Sequence, residues 1–238
     1  MSDIKEFYER YWDYSKKIKH LAQEGTPPNR LIIAQSMMEL RNKKKILDIG
    51  CGGGGLGKLL RQKFGNNVYL VGIDISEAAL QMASKYYDKT MQMNIDEDSF
   101  DNDILNDKFN YIVCLEVLEH IIMPENVLNK LKKLLASDGM FIISFPNFAF
   151  YRYRWEVLKG NFPDGQHLFH DAEHIHYWTF HSFKKFLNKN GLKIINYELD
   201  FDMPLIMKLL PSSIKMKLAK KIPNLFGIQI ITKCKVVG

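Results

Sequence analysis

Asp48-Ile49-Gly50-Cys51-Gly52-Gly53-Gly54-Gly55 constrains this chain more than any other stretch. An apolar run, Lys45-Ile46-Leu47, leads into it, and a helix-like pattern from Leu56 to Phe64 leads out. Strand, glycine turn and helix in that order describe a parallel α/β unit with a ligand at the turn. Glycines let the backbone turn sharply and approach a ligand without Cβ atoms in the way. Gly50, Gly52 and Gly55 also satisfy the G-x-G-x-x-G spacing of dinucleotide-binding loops. Asp48 argues against that ligand, because a pyrophosphate would meet a carboxylate two residues before the first glycine. A cationic ligand is the better match.

S-adenosylmethionine carries a sulfonium and an ammonium and no phosphate, so the loop favours it over a dinucleotide. Asp-x-Gly-x-Gly-x-Gly at 48 to 54 resembles the first motif of class I S-adenosylmethionine-dependent methyltransferases. Val71-Gly72-Ile73-Asp74-Ile75-Ser76 resembles their second strand, and Phe109-Asn110-Tyr111-Ile112-Val113-Cys114 their fourth. Leu115-Glu116-Val117-Leu118-Glu119-His120 follows, and 134–140 leads to a fifth strand and Pro146-Asn147. The likeness runs from Lys45 to Leu199, and its nearest subgroup is the MetW-like and glycan-cluster methyltransferases. It implies a Rossmann-like α/β fold. The sheet would have seven mostly parallel strands and a C-terminal antiparallel strand, under a cap rich in aromatics and histidines. It also implies methyl transfer from S-adenosylmethionine, leaving S-adenosylhomocysteine, to oxygen or nitrogen of a small-molecule acceptor. Subgroup analogy makes a sugar or surface-glycan precursor the first choice.

The 238 residues suffice for one domain with a full core, and 46% hydrophobic content is ordinary for such a domain. No apolar run reaches the roughly 18 residues of a membrane span. The polar start, Met1 to Glu6, does not read as a signal peptide. Cys51, Cys114 and Cys234 lack metal-like pairing, so reduced thiols in the cytoplasm are expected. The net charge of +6 is local. Met203 to Gly238 holds seven lysines and no Asp or Glu, which leaves the rest of the chain at −1. A global nucleic-acid footprint is therefore not expected.

A single domain over 1–238 would comprise an N-terminal helical lid (1–42), a cofactor-binding core (43–144), a cap insertion (145–178) and a C-terminal part (179–238). The lid reads as two helices broken at Gly25-Thr26-Pro27-Pro28-Asn29. Its Tyr8, Tyr11, Trp12 and Arg30 are candidate cofactor contacts, with core packing the plainer reading of the aromatics. Strands are expected near 45–49, 68–73, 90–95, 109–114, 139–144, 193–199 and 226–236. Helices are expected near 55–64, 76–87, 124–135 and 179–190, with Asp138-Gly139 as the turn into the fifth strand.

Asp48, Gly50 and Gly52 are the expected cofactor contacts of the loop. Asp74 suits two ribose hydroxyls, with Ile75 beside it and Ser76 free to cap the next helix. Asn94 or Asp96 would accept from the adenine amine, with Ile95 on its face, and Glu116 lines the pocket in the resembling family. Acceptor orientation or proton removal falls to His120 and His174. Five of the seven histidines lie between 167 and 181, and imidazole titrates near neutrality. Glu116, Glu119, His120 and His174 also resemble the divalent-metal ligands of small-RNA 2′-O-methyltransferases, and quinone-biosynthesis O-methyltransferases share Glu-x-x-Glu-His. No metal is assigned, because that element occurs widely without one. A quinone-type lipid acceptor, or a non-catalytic accessory role that binds cofactor without turnover, would also suit this chain. The apolar and basic segment 203–222 would cap the substrate side or rest on an anionic membrane surface.

Overall fold

The computed structural model describes residues 2–15, 27–39, 44–100, 107–161, 174–207 and 209–237. Seven strands form one sheet: β1 (Lys44–Ile49), β2 (Val68–Asp74), β3 (Lys89–Gln92), β4 (Phe109–Leu115), β5 (Leu135–Pro146), β6 (Leu192–Phe201) and β7 (Gly227–Val236). Their order is β3-β2-β1-β4-β5-β7-β6. β1 to β5 pair in parallel, and β7 runs antiparallel to both β5 and β6. Six strands thus point one way and the last one the other. The chain walks outward from β1 through β2 to β3, then returns to place β4 on the other side of β1. That reversal leaves a crevice at the carboxyl ends of β1 and β4, where ligands bind in open parallel sheets.

Period-two alternation explains the two cores. Leu47, Ile49, Val71, Ile73, Ile112 and Ile143 face one layer of helices, packing with Val127, Leu128 and Leu131 of α5 (Pro124–Leu134) and Phe183 and Leu187 of α7 (Phe180–Lys189). Ile46, Leu70, Val113 and Ile142 face the other layer. There they meet α2 (Asn29–Ser36), α3 (Gly55–Phe64) and α4 (Glu77–Ala83). Burial on both faces is what makes these strands read as continuous apolar runs.

Local signals set the helix ends. Pro124 opens α5, where its missing N–H costs nothing. Thr179 caps α7 by accepting from Ser182 N at 3.1 Å, and Ser182 Oγ accepts in return from Thr179 N at 2.9 Å. Pro204, Pro211 and Pro223 divide the basic segment into a turn at Leu205–Met207, α8 (Ser212–Lys221) and the short α9 (Pro223–Phe226).

Three expected boundaries shift. Asp138-Gly139 lies inside β5 rather than in a turn before it. The register steps from Phe109↔Leu135 to Tyr111↔Met140, so the extra residues are absorbed as an irregularity in a continuing strand. The helix expected over 76–87 ends at Ala83, and β3 stops at Gln92. In the N-terminal part, α1 (Ser2–Ser15) and α2 form, while Gly25 and Thr26 of the expected break lie outside the described residues. The same holds for His167 and His170 of the cap, of which α6 (Tyr151–Leu158) is described. All three cysteines are buried free thiols.

Candidate functional site

The crevice holds a cavity of about 570 Å³. After β1 the backbone takes positive φ at Gly50 (+67°), Gly52 (+52°) and Gly54 (+85°). Close approach also demands glycine here. A Cβ on Gly50 would sit 2.6 Å from Val117, and one on Gly52 2.7 Å from the Trp12 ring. Gly50 N and Cys51 N donate to Ile73 O at 2.8 and 3.0 Å, which ties the loop to the end of β2.

Two buried carboxylates flank this loop. Asp74 accepts from Gly52 N at 2.8 Å and Ser76 N at 3.0 Å, and its remaining lone pairs leave room for ribose hydroxyls. Burial raises its pKa, and the amide hydrogen bonds work against that rise. Asp48 accepts from the Tyr87 hydroxyl. Burial pushes its carboxyl up to about 7, the Tyr87 bond pulls it down, and the Asp74 charge adds to the rise. Ser76 is the N-cap of α4, as its position in the sequence suggests, and accepts from Ala79 N at 3.2 Å.

Asp48, Gly50, Gly52, Asp74, Ile75, Asn94, Ile95, Asp96 and Glu116 all line the cavity. Asn94 and Asp96 are both present, and neither is singled out. Asn94 Oδ1 accepts from Asp96 N at 3.2 Å, and Asp96 accepts from Ile122 N at 3.1 Å. The aromatics of α1 do not pack into the core as the plainer reading has it. Tyr8, Tyr11 and Trp12 roof the cavity, and Arg30 joins its wall. Arg30 Nε is buried with no protein hydrogen-bond partner among the described residues. A half-buried guanidinium in the wall of a cavity that the glycine loop also lines suits the carboxylate of an amino-acid ligand.

His120 lines the same cavity, and the His174 ring packs against it with centroids 4.7 Å apart. Backbone pairing brings them together: Ile175 N and His176 N donate to Glu119 O at 2.9 and 3.1 Å. The Tyr8 ring meets His120 edge-on at 6.5 Å. Glu119, His120 and His174 place one potential metal-ligating atom each within 4.8 Å of one another. The four-residue ligand set is not assembled. Glu116 sits at φ +57°, accepts from Ser144 Oγ at 2.7 Å and Gln229 Nε2 at 3.0 Å, and so points elsewhere.

Sequence reasoning missed Glu9, Tyr87, Ser144 and Gln229. Each bonds a residue of the site or of the turn beside it from a distant part of the chain, so no local spacing marks it.

Fold and cavity define an α/β protein with a ligand crevice at the carboxyl edge of its parallel strands. A methyltransferase-domain family profile matches residues 14–197, and the chain belongs to that family. A ubiquinone biosynthesis O-methyltransferase from Coxiella burnetii (strain Dugway 5J108-111) is 28% identical over 174 residues, covering 70% of each chain. One from Actinobacillus pleuropneumoniae serotype 7 is 30% identical over 173 residues, 67% of this chain and 71% of that one. An Archaeoglobus fulgidus SAM-dependent methyltransferase shares the fold at TM-score 0.61 and 14% identity, covering 94% of this chain and 99% of its own. A chain from the complex of the Haloferax volcanii Trm112 methyltransferase activator with a methyltransferase does so at TM-score 0.61 and 17% identity, over 95% and 93%. The protein is an S-adenosylmethionine-dependent methyltransferase.

Proposed function

We propose that the chain methylates a hydroxyl on an apolar, quinone-type ring, with His120 taking the proton. The observation that carries this reading is His120 in the lining of the cavity among apolar neighbours. Val117, Ile121 and Ile122 flank it in the chain, Tyr8 meets it edge-on from α1, and Ile4 and Phe7 line the same cavity. A sugar, the acceptor first expected, would bring several hydroxyls to this wall and leave them unpaired. The names of the Coxiella and Actinobacillus relatives agree with the apolar choice.

Bound S-adenosylmethionine supplies a methyl group already activated on sulfur. The protein has to hold the cofactor, aim the acceptor oxygen and exclude water. In this reading Arg30 receives the methionine carboxylate and Asp48 faces the cationic end. Asp74 takes the ribose, and Asn94, Ile95 and Asp96 surround the adenine. His174 positions the His120 ring, which accepts the hydroxyl proton as oxygen attacks.

The Glu119, His120 and His174 cluster supports a second reading, in which these three hold a divalent cation that orients the acceptor oxygen. One oxygen and two imidazoles suit a transition metal. Contact with an anionic lipid surface is part of the quinone-type proposal, since Leu205, Ile206 and Leu209 are 81%, 82% and 90% exposed next to the lysine-rich α8.

Activity measured after chelation, then with added Mn²⁺, separates the two roles of His120. Full turnover without metal supports the base, and strict Mn²⁺ dependence lost in Glu119→Gln supports the cation site. Transfer to a sugar but not to a hydroxylated quinone-type ring would overturn the proposed acceptor.

A further inference from the structure

Among the described residues, one face of α1 covers the cavity. Ile4, Tyr8, Tyr11 and Trp12 recur at helical spacing along α1, and all four line the cavity. Trp12 lies against Gly52 and Tyr8 against His120, so α1 touches both the cofactor loop and the acceptor end.

Glu9 leaves that face and reaches α4. Its carboxylate accepts from Glu77 N at 2.8 Å, Ser76 Oγ at 2.9 Å and Ala78 N at 3.1 Å, with the Gln92 amide at 3.4 Å. Those donors belong to the turn that follows Asp74 and Ile75 and to the end of β3. Burial acts to raise the Glu9 pKa. The Ala78 and Glu77 amides, the Ser76 hydroxyl and the Lys5 charge outweigh it, so the pKa falls below the ordinary value and the carboxylate stays ionised at neutral pH. Glu6, one turn earlier, pairs with Arg10 inside α1.

We propose that Glu9 is the latch that holds α1 closed over bound cofactor, and that parting of this contact sets the rate of cofactor exchange. The proposal rests on reading the cavity as the cofactor site. It makes Glu9 a positioning residue: it touches neither cofactor nor acceptor and acts by seating Trp12 and Tyr8. Methyl transfer leaves S-adenosylhomocysteine under the same roof, so the latch must open once per turnover.

The test is stopped-flow tryptophan fluorescence of S-adenosylhomocysteine release from the full chain, displaced by excess S-adenosylmethionine. Wild type, Glu9→Ala, Glu9→Gln and Glu6→Gln are compared, with thermal unfolding alongside. Charge-assisted hydrogen bonds are the strong ones, so Glu9→Ala is expected to release product at least about tenfold faster. Glu9→Gln is expected to shift in the same direction, and Glu6→Gln to match wild type. A merely structural role would lower the unfolding midpoint without changing the release rate. Should Glu9→Ala fail to fold, the isosteric Glu9→Gln carries the test. Wild-type release rates in folded Glu9 variants would overturn the latch alone. Failure of wild type to bind either cofactor form would overturn the cavity reading and the latch together.

Discussion

Cofactor affinity should rise with pH across neutrality, and Asp48 should be the reason. Its carboxyl is buried, hydrogen-bonded by Tyr87, and pushed up to about 7 from an ordinary 3.8. A cationic ligand end favours the ionised form, so binding must first remove the proton from molecules that carry it. With a pKa of about 7, roughly one molecule in eleven is ionised at pH 6 and about ten in eleven at pH 8. Affinity therefore gains about tenfold over that interval, or about 1.4 kcal/mol. The empty protein moves the other way. A native pKa raised above the unfolded value gives stability that is fully present below about 3.8. It is lost as pH rises through about 7. Isothermal calorimetry with S-adenosylmethionine at pH 6, 7 and 8 reads the first effect, and the same series on Asp48→Asn removes any titration of the ligand's own amine. A wild-type affinity flat over this range, or a slope unchanged in Asp48→Asn, would refute the assignment.

Gly52→Ala should weaken cofactor binding by about tenfold or more by calorimetry, since a left-handed alanine costs about 1–2 kcal/mol and its Cβ strikes the Trp12 ring. His120→Gln should lower kcat by about 10² to 10⁴ while leaving the cofactor Kd unchanged, the mark of a group used in proton transfer and not in cofactor binding. Phe183→Ala should cost about 3–5 kcal/mol in urea unfolding, because this ring is fully buried 4.0 Å from Phe145 and packed edge-on near Trp178.

Much of the scaffold was legible because its signals are local. The β1 run, the glycine loop, Pro124 and Thr179 each declare their own element, and the adjacent apolar pair Ile46 and Leu47, on opposite faces of β1, declares burial on both. The cavity lining was legible in part for the same reason: Asp48, Gly50, Gly52, Asp74 and Ile75 line it and sit at or just after strand ends that the sequence marks. The histidine pair was legible in part. His120 and His174 could be proposed as partners, but what joins them is backbone pairing of Ile175 and His176 to Glu119, which no spacing reports. Glu116 and Glu119 look equivalent in the sequence. A positive φ at one residue and hydrogen bonds to Ser144 and Gln229, from two other strands, separate them in space. Glu9 was invisible because its partners lie 67 to 83 residues away.

Methyl transfer to a hydroxyl on an apolar ring can be read in a single labelling assay. The full chain is incubated with S-adenosylmethionine labelled on the methyl group and three acceptors: a hydroxylated quinone-type ring with an alkyl tail, a free sugar, and short RNA. Label is expected in the ring's methoxy product, with one S-adenosylhomocysteine formed per transfer and a large loss in His120→Gln. Label in the sugar or the RNA, or no transfer to the ring from an enzyme that binds its cofactor, would contradict the proposed acceptor.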